Sequence, residues 1–235
     1  MRIGVLETGA PPTAMQARFG RYPAMLEHLL GEGAYQWSAF DVRRGMLPAG
    51  PDVCDAWLVT GSAAGVYEPE RWIAETEGFL RAARGRAALV GIGFGHQLMA
   101  RAFGGKVIKS PKGWGIGLHH YAVRERRPWM DEALALAAPA SHQDQVVEPP
   151  PNTRVLAGSD FTPFGMLAWD DQPAISLQLH PEFEPAYARA LIEARRADRY
   201  EPGQAEAALA SLAGPDDRAR IGRWIAGFLA RTVGS

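Results

Sequence analysis

From Ala87 to Phe103 the chain reads AALVGIGFGHQLMARAF, an apolar run, three glycines at alternate positions 91, 93 and 95, and then a stretch suited to a helix. A strand that turns at once into a helix forces its corner residue into strained backbone angles and needs small neighbours, the logic of a nucleophile elbow. Gly91 and Gly95 supply the room. The helix N-terminus just past the corner carries positive potential, which would lower the pKa of a thiol placed there and stabilise a developing oxyanion. The corner is therefore a place for chemistry, yet its central residue, Gly93, brings no side chain to do it. The one cysteine, Cys54, precedes the apolar run Ala56–Thr60, near the end of a sheet opposite to where ligand-binding loops gather. It reads as an ordinary small apolar residue.

The elements that must carry this corner are legible in the hydrophobic pattern. Ile3–Leu6, Ala56–Thr60 and Ala87–Ile92 are apolar at nearly every position, as strands covered on both faces are. Between them lie helical stretches, Tyr22–Leu30 and Arg71–Ala83. In the second, Trp72, Ile73, Phe79 and Leu80 recur at helical spacing and leave Glu75, Glu77 and Arg81 for solvent. Beyond Gly104 come shorter segments, Lys106–Ile108, Gly117–Val123, Thr153–Leu156 and Ala174–Leu179, which read as strands of a mixed sheet. Pro149, Pro150 and Pro151 lack amide donors, so that stretch leaves helix and sheet as a surface turn. After His180 the chain turns helical. Ile221, Trp224, Ile225, Phe228 and Leu229 form one apolar stripe that is expected to pack on the sheet.

The 235 residues carry a net charge of −1 and 22% charged side chains, so the overall field favours neither nucleic acid nor an anionic membrane. Small ligands fit better. No apolar run approaches the roughly 18 residues of a spanning helix, the N-terminus reads as a first strand rather than a signal peptide, and a lone cysteine suits a reducing compartment. A cytoplasmic protein follows, folded as one domain over 1–235 with a helical C-terminal segment from about 186 to 235.

GIGFGHQ is similar to the GICFGHQ-type elbow of the class I glutamine amidotransferases, with Gly93 at the cysteine position. Three further matches follow in the same order: LVTGS through Gly61 and Ser62, SHQD from Ser141 through His142 and Gln143 to Asp144, and HPEF from His180 through Glu182. The resemblance is to the GMP synthase-like amidotransferase domain. It implies an α/β, flavodoxin-like, open, mixed but mostly parallel sheet with helices on both faces, and no cofactor or metal. It assigns proton transfer to His180 oriented by Glu182, because an imidazole of near-neutral pKa can take a thiol proton and return it to the leaving amine. Taken alone, the pair could equally be a buried histidine satisfied by a carboxylate. The oxyanion hole would use the N–H of Phe94 and one from the Gly61–Ser62 turn. Gln97 and Ser141–Asp144 match positions that hold the amino-acid end of glutamine, although SHQD also reads as a polar loop and Gln97 as ordinary helix N-terminal polarity. His96 points by helix geometry away from the corner, as a packing residue would.

Glycine at the elbow cannot form a thioester. Whether it is a natural loss or a later change to a cysteine-bearing parent, the implied glutamine amide hydrolysis would be absent or nearly so. The alternatives are a binding or regulatory pseudoenzyme that uses the glutamine pocket, and a γ-glutamyl hydrolase-like enzyme. The ligand in each case is glutamine or a γ-glutamyl small molecule, with any ammonia-accepting synthetase in trans. Leu179, where many relatives carry glycine, is expected to narrow the pocket.

Overall fold

Segments apolar at every position build the middle of the sheet, and amphipathic ones build its covering layers. The computed structural model describes residues 1–233, with side chains through Thr232. In chain order the elements are β1 (Arg2–Glu7), α1 (Thr13–Phe19), α2 (Tyr22–Leu30), β2 (Gln36–Asp41), β3 (Ala56–Val59), α3 (Arg71–Ala83), β4 (Ala88–Ile92) and α4 (Phe94–Ala102). There follow β5 (Lys106–Lys109), β6 (Gly115–Val123), β7 (Ala135–His142), β8 (Asp144–Glu148), β9 (Thr153–Gly158), β10 (Met166–Trp169) and β11 (Ala174–Leu177), then α5 (Pro185–Arg199), α6 (Gln204–Ser211) and α7 (Arg218–Val233). The described residues form a nine-stranded sheet in the order β2-β1-β3-β4-β11-β10-β9-β6-β7. The strands from β2 to β11 are parallel, and the remainder of the sheet is antiparallel. This is the α/β architecture expected.

Helices cover both faces because each strand alternates its side chains between two cores. Ile3 and Val5 of β1 and Val90 and Ile92 of β4 pack with Leu26 of α2 and with Ile221, Trp224, Ile225, Phe228 and Leu229 of α7. The C-terminal stripe therefore docks where its spacing predicted. On the other face Leu6, Trp57, Val59 and Leu89 meet Ile73 and Leu80 of α3 and Leu98 and Met99 of α4. Among the described residues no helix is long and apolar enough to cross a membrane.

Four sequence expectations change. The 106–109 strand does not join the large sheet but pairs only with β8, as a two-stranded ribbon. SHQD is not a plain polar loop, since Ser141 and His142 end β7 and Asp144 begins β8. Glu77 is buried rather than solvated, because Arg101 of α4 holds its carboxylate at 3.1 Å and Arg81 at 3.5 Å. Leu179 is fully buried in the core beside α7. A side chain directed there cannot narrow the pocket.

Candidate active site

The register of two adjacent parallel strands places the corner and the histidine side by side. Leu177 of β11 is opposite Ile92 of β4, and the Gly93 N–H donates to the Leu177 carbonyl at 2.8 Å. Both chains leave the sheet at this point, one turning into α4 and the other running on to His180. Gly93 has φ +58° and ψ −109°, a region that disfavours side chains and suits glycine. The two flanking glycines are required by close approach. A Cβ at Gly91 would stand 2.5 Å from the Gly95 carbonyl oxygen, and one at Gly95 would stand 2.3 Å from that of Val59.

His180 is fixed from several sides. Its N–H donates to the Pro139 carbonyl at 2.9 Å, and its ring stacks on Phe183 with centroids 4.2 Å apart and planes 7° from parallel. Nδ1 lies 2.7 Å from Glu182 Oε1, with both residues buried. A carboxylate at Glu182 accepts the Nδ1 proton, which leaves Nε2 as the nitrogen with a lone pair. That nitrogen faces the corner: an ideal Cβ on Gly93 would stand 2.7 Å from Nε2 and 2.4 Å from Cε1. The imidazole thus lies in space that a side chain at residue 93 would need.

The facing turn is held from β1. Thr8 Oγ donates to the Thr60 carbonyl at 2.8 Å and lies 3.1 Å from Thr60 Oγ1. Gly9 packs so closely beneath that a Cβ would meet the Gly61 oxygen at 2.4 Å and Ser62 Cα at 2.7 Å. A Cβ on Gly61 would come within 3.1 Å of the His180 ring, so that glycine too makes room for the imidazole. The Gly95 N–H is committed to the Thr60 carbonyl at 3.1 Å. Phe94 opens α4, and helix geometry supplies no partner for its N–H. Ser62 Oγ accepts from the Ala64 N–H at 3.2 Å.

Gly93, Phe94, Ser62, Gln97, Ser141–Asp144 and His180 share one cleft of about 190 Å³. Gln97 is buried, and its Nε2 donates to the Asp144 carbonyl at 2.9 Å and to Gln178 Oε1 at 3.1 Å. Its donors therefore tie β8 to the segment before His180, and its Oε1 is left for other partners. Burial pushes the His142 imidazole down to about 3, so His142 is neutral near pH 7 and carries no proton there beyond that of its neutral ring. His96 behaves likewise, pushed to about 3 by complete burial, with Nδ1 2.8 Å from Ser176 Oγ. It is a packing residue, as its helix position implied. Cys54 is buried among the side chains beneath α3, and burial raises its thiol pKa, the opposite of nucleophile activation.

Sequence reasoning missed part of the lining: Tyr67, Glu68, Lys109, Trp114, Gln178 and Arg195. Tyr67 donates to Asp144 Oδ1 at 3.2 Å. Burial is the main cause raising the Asp144 pKa, opposed by the Tyr67 hydrogen bond and the Lys109 charge. Gln178 could have been found from its place two residues before His180. The others come from loops, from the end of β5 and from α5, whose approach no local pattern reveals. Among the described residues there is no cluster of metal-ligating side chains.

The family model for glutamine amidotransferase class-I matches residues 54–196. The chain is 29% identical over 174 residues to gamma-glutamyl peptidase 4 of Arabidopsis thaliana, covering 70% of this chain and 69% of that protein. It is 35% identical over 94 residues to a glutamine-hydrolyzing GMP synthase subunit of Pyrococcus abyssi, covering 40% of this chain and 50% of that one. Its fold is similar to that of a glutamine amidotransferase from Thermotoga maritima, with a TM-score of 0.79 at 16% identity over 100% of this chain and 99% of that one.

Proposed function

Since this chain belongs to the class I glutamine amidotransferase family, we propose that its cleft binds the γ-glutamyl group of glutamine or of a γ-glutamyl compound, with Gly93 standing where the nucleophilic thiol would be. The observation that carries this reading is the imidazole of His180, held by Glu182 at 2.7 Å and lying against a strand-to-helix corner. That is the arrangement in which a base serves a nucleophile on the corner residue and a helix N-terminus receives the oxyanion.

In this reading the scissile carbonyl sits over the corner with its oxygen toward the N–H groups of Phe94 and the Gly61–Ser62 turn. His180 would take and return the proton, with Glu182 fixing its tautomer. Gln97 and the Ser141–Asp144 segment would hold the amino-acid end. Without a thiol no acyl-enzyme forms, so the chain binds its ligand and turns it over slowly or not at all. Deleting a nucleophile in hydrolases of this kind leaves a residual factor of roughly 10³ to 10⁴ over water from oxyanion donors and binding.

Two versions of the reading differ in ligand and partner. The similarity to a gamma-glutamyl peptidase over 70% of the chain supports a γ-glutamyl peptide and needs no partner. The shorter similarity to a GMP synthase subunit supports docking to a synthetase in trans, where the chain would act as a regulatory pseudoenzyme. Calorimetry of the natural chain with glutamine and with γ-glutamyl dipeptides tests the common claim. Binding that weakens in Gln97→Ala supports it, and no heat of binding with any of these ligands would end it.

A further inference from the structure

The charged groups lining the cleft fall into two separate sets. One is mainly acidic: Asp144 with Tyr67 on its carboxylate, Glu68, whose Oε1 accepts from the Gly65 N–H at 2.7 Å, and the cation Lys109 beside them. The charges that act on Asp144 are those of Lys109 and Glu68. The other set is cationic, formed by Arg195 and Arg199 of α5, one helical turn apart on the same face. Those guanidinium groups act on Tyr187 within α5 and Tyr200 just past it, Arg195 on both and Arg199 on Tyr200, and not on Asp144.

Neither arginine is spent on a carboxylate. Among the described residues neither has an acidic oxygen within the 4.0 Å of an ion pair. The intervening Arg196, facing away from the cleft, pairs with both Glu193 and Glu206. The two cleft arginines are positioned by neutral groups instead. Arg195 reaches Ser141 Oγ at 3.4 Å, and Arg199 lies over the Trp114 ring at 5.6 Å. Trp114 is in turn held by Tyr200 edge-on at 5.8 Å and by Gln204, whose amide donates to its carbonyl at 2.7 Å. A guanidinium supported on an aromatic face and a hydroxyl keeps donors for a planar anion.

Glutamine gives ammonia as its leaving group, and ammonia has no anionic end. We propose that Arg195 and Arg199, with Trp114 beneath, form a subsite for the carboxylate of the leaving amine, so that the cleft selects a γ-glutamyl amino acid or peptide with a free C-terminal carboxylate over glutamine itself. This rests on the γ-glutamyl reading above and names its ligand class. The acidic set then faces the glutamyl ammonium, and the ligand spans the two.

Calorimetry on the natural chain tests the assignment with three ligands: γ-glutamylglycine, γ-glutamylglycinamide and glutamine. The free acid is expected to bind about 10-fold more tightly than the amide, the size of one partly exposed charge-assisted contact. Arg199→Gln and Arg195→Gln should each shrink that ratio to about 2-fold while moving glutamine affinity less than 2-fold. Because Arg199 is exposed, its variant folds without the burial risk that attends Arg195. Equal binding of acid and amide by the natural chain overturns the proposal. So does an equal loss of all three ligands in the variants, which would assign the arginines to the glutamyl carboxylate. If none of the three binds the natural chain, the γ-glutamyl reading itself falls.

Discussion

Replacing Gly93 by cysteine should create an enzyme and weaken the fold at the same time. The new residue must adopt φ +58° and ψ −109°, and a non-glycine residue held in such a region costs on the order of 1 to 3 kcal/mol. Its Cβ would stand 2.4 Å from His180 Cε1, whereas ordinary contact begins at 3.4 Å, so the imidazole must withdraw by 1.0 Å at that atom, the difference of those two distances. For a chain of this size each kcal/mol moves the melting temperature by about 2 to 4 °C, which gives a fall of roughly 2 to 12 °C. Gly93→Ala carries the same backbone strain and the same Cβ without the thiol, and is the proper control. Release of glutamate, with ammonia from glutamine and with the C-terminal amino acid from γ-glutamyl dipeptides, should rise in the cysteine variant by on the order of 10³-fold over the alanine one. A folded cysteine variant no more active than the alanine variant on any of these substrates would refute the assignment of residue 93 as the nucleophile position. A melting temperature that rises would refute the strain argument separately.

The remaining expectations concern the supports of the site. His96 and His142 are each held near 3 by burial, below the value of about 6.5 they regain on unfolding. The unfolded chain therefore binds the extra protons, and stability present above pH 6.5 is lost as the solution is acidified toward 3. The loss is about 2 kcal/mol per histidine between pH 7 and pH 5. Urea melts at the two pH values should show it, and His142→Asn should remove about half; a pH-independent midpoint would contradict the burial argument. In the Gly93→Cys background, Glu182→Gln should lower turnover by roughly 10² to 10⁴-fold, since an amide no longer selects the tautomer that leaves Nε2 as base; unchanged turnover would show that Glu182 does not orient His180. Gly9→Ala should destabilise the fold by roughly 1 to 3 kcal/mol, because the added methyl meets backbone at 2.4 and 2.7 Å, and it should weaken glutamine binding. A melting curve and calorimetry matching the natural chain would show that the Gly61–Ser62 turn is free to move.

The parallel half of the sheet was readable because burial on both faces forces continuous apolar runs: the Ala87–Ile92 run became β4, and the α2 and α3 boundaries matched their hydrophobic stripes. β2 was not legible. It is an edge strand with Gln36, Ser38 and Ala39 exposed, and its two large apolar residues, Trp37 and Phe40, are only partly buried in different cores, so QWSAFD shows neither a continuous apolar run nor an alternation. β7 was hidden by alanines and by Pro139, which look like breakers until β6 pairs along them. At the site, the corner and the His180–Glu182 pair were legible because their backbone and chemistry are local. Arg195, Arg199 and Trp114 were not, since a helix and a loop must fold back over the cleft before they meet. Glu77 misled for a related reason, its partner Arg101 being on a neighbouring helix.

The near-parallel stacking of His180 on Phe183 decides the plane in which the imidazole lies. Phe183 is itself braced by Tyr187 at 4.6 Å and Tyr22 at 5.7 Å, so the surface beneath the imidazole is a firm table, and the short Nδ1 contact to Glu182 pins its edge. Stacking sets the plane of the imidazole and the carboxylate sets its rotation within that plane, so Nε2 is aimed at the corner before any ligand arrives.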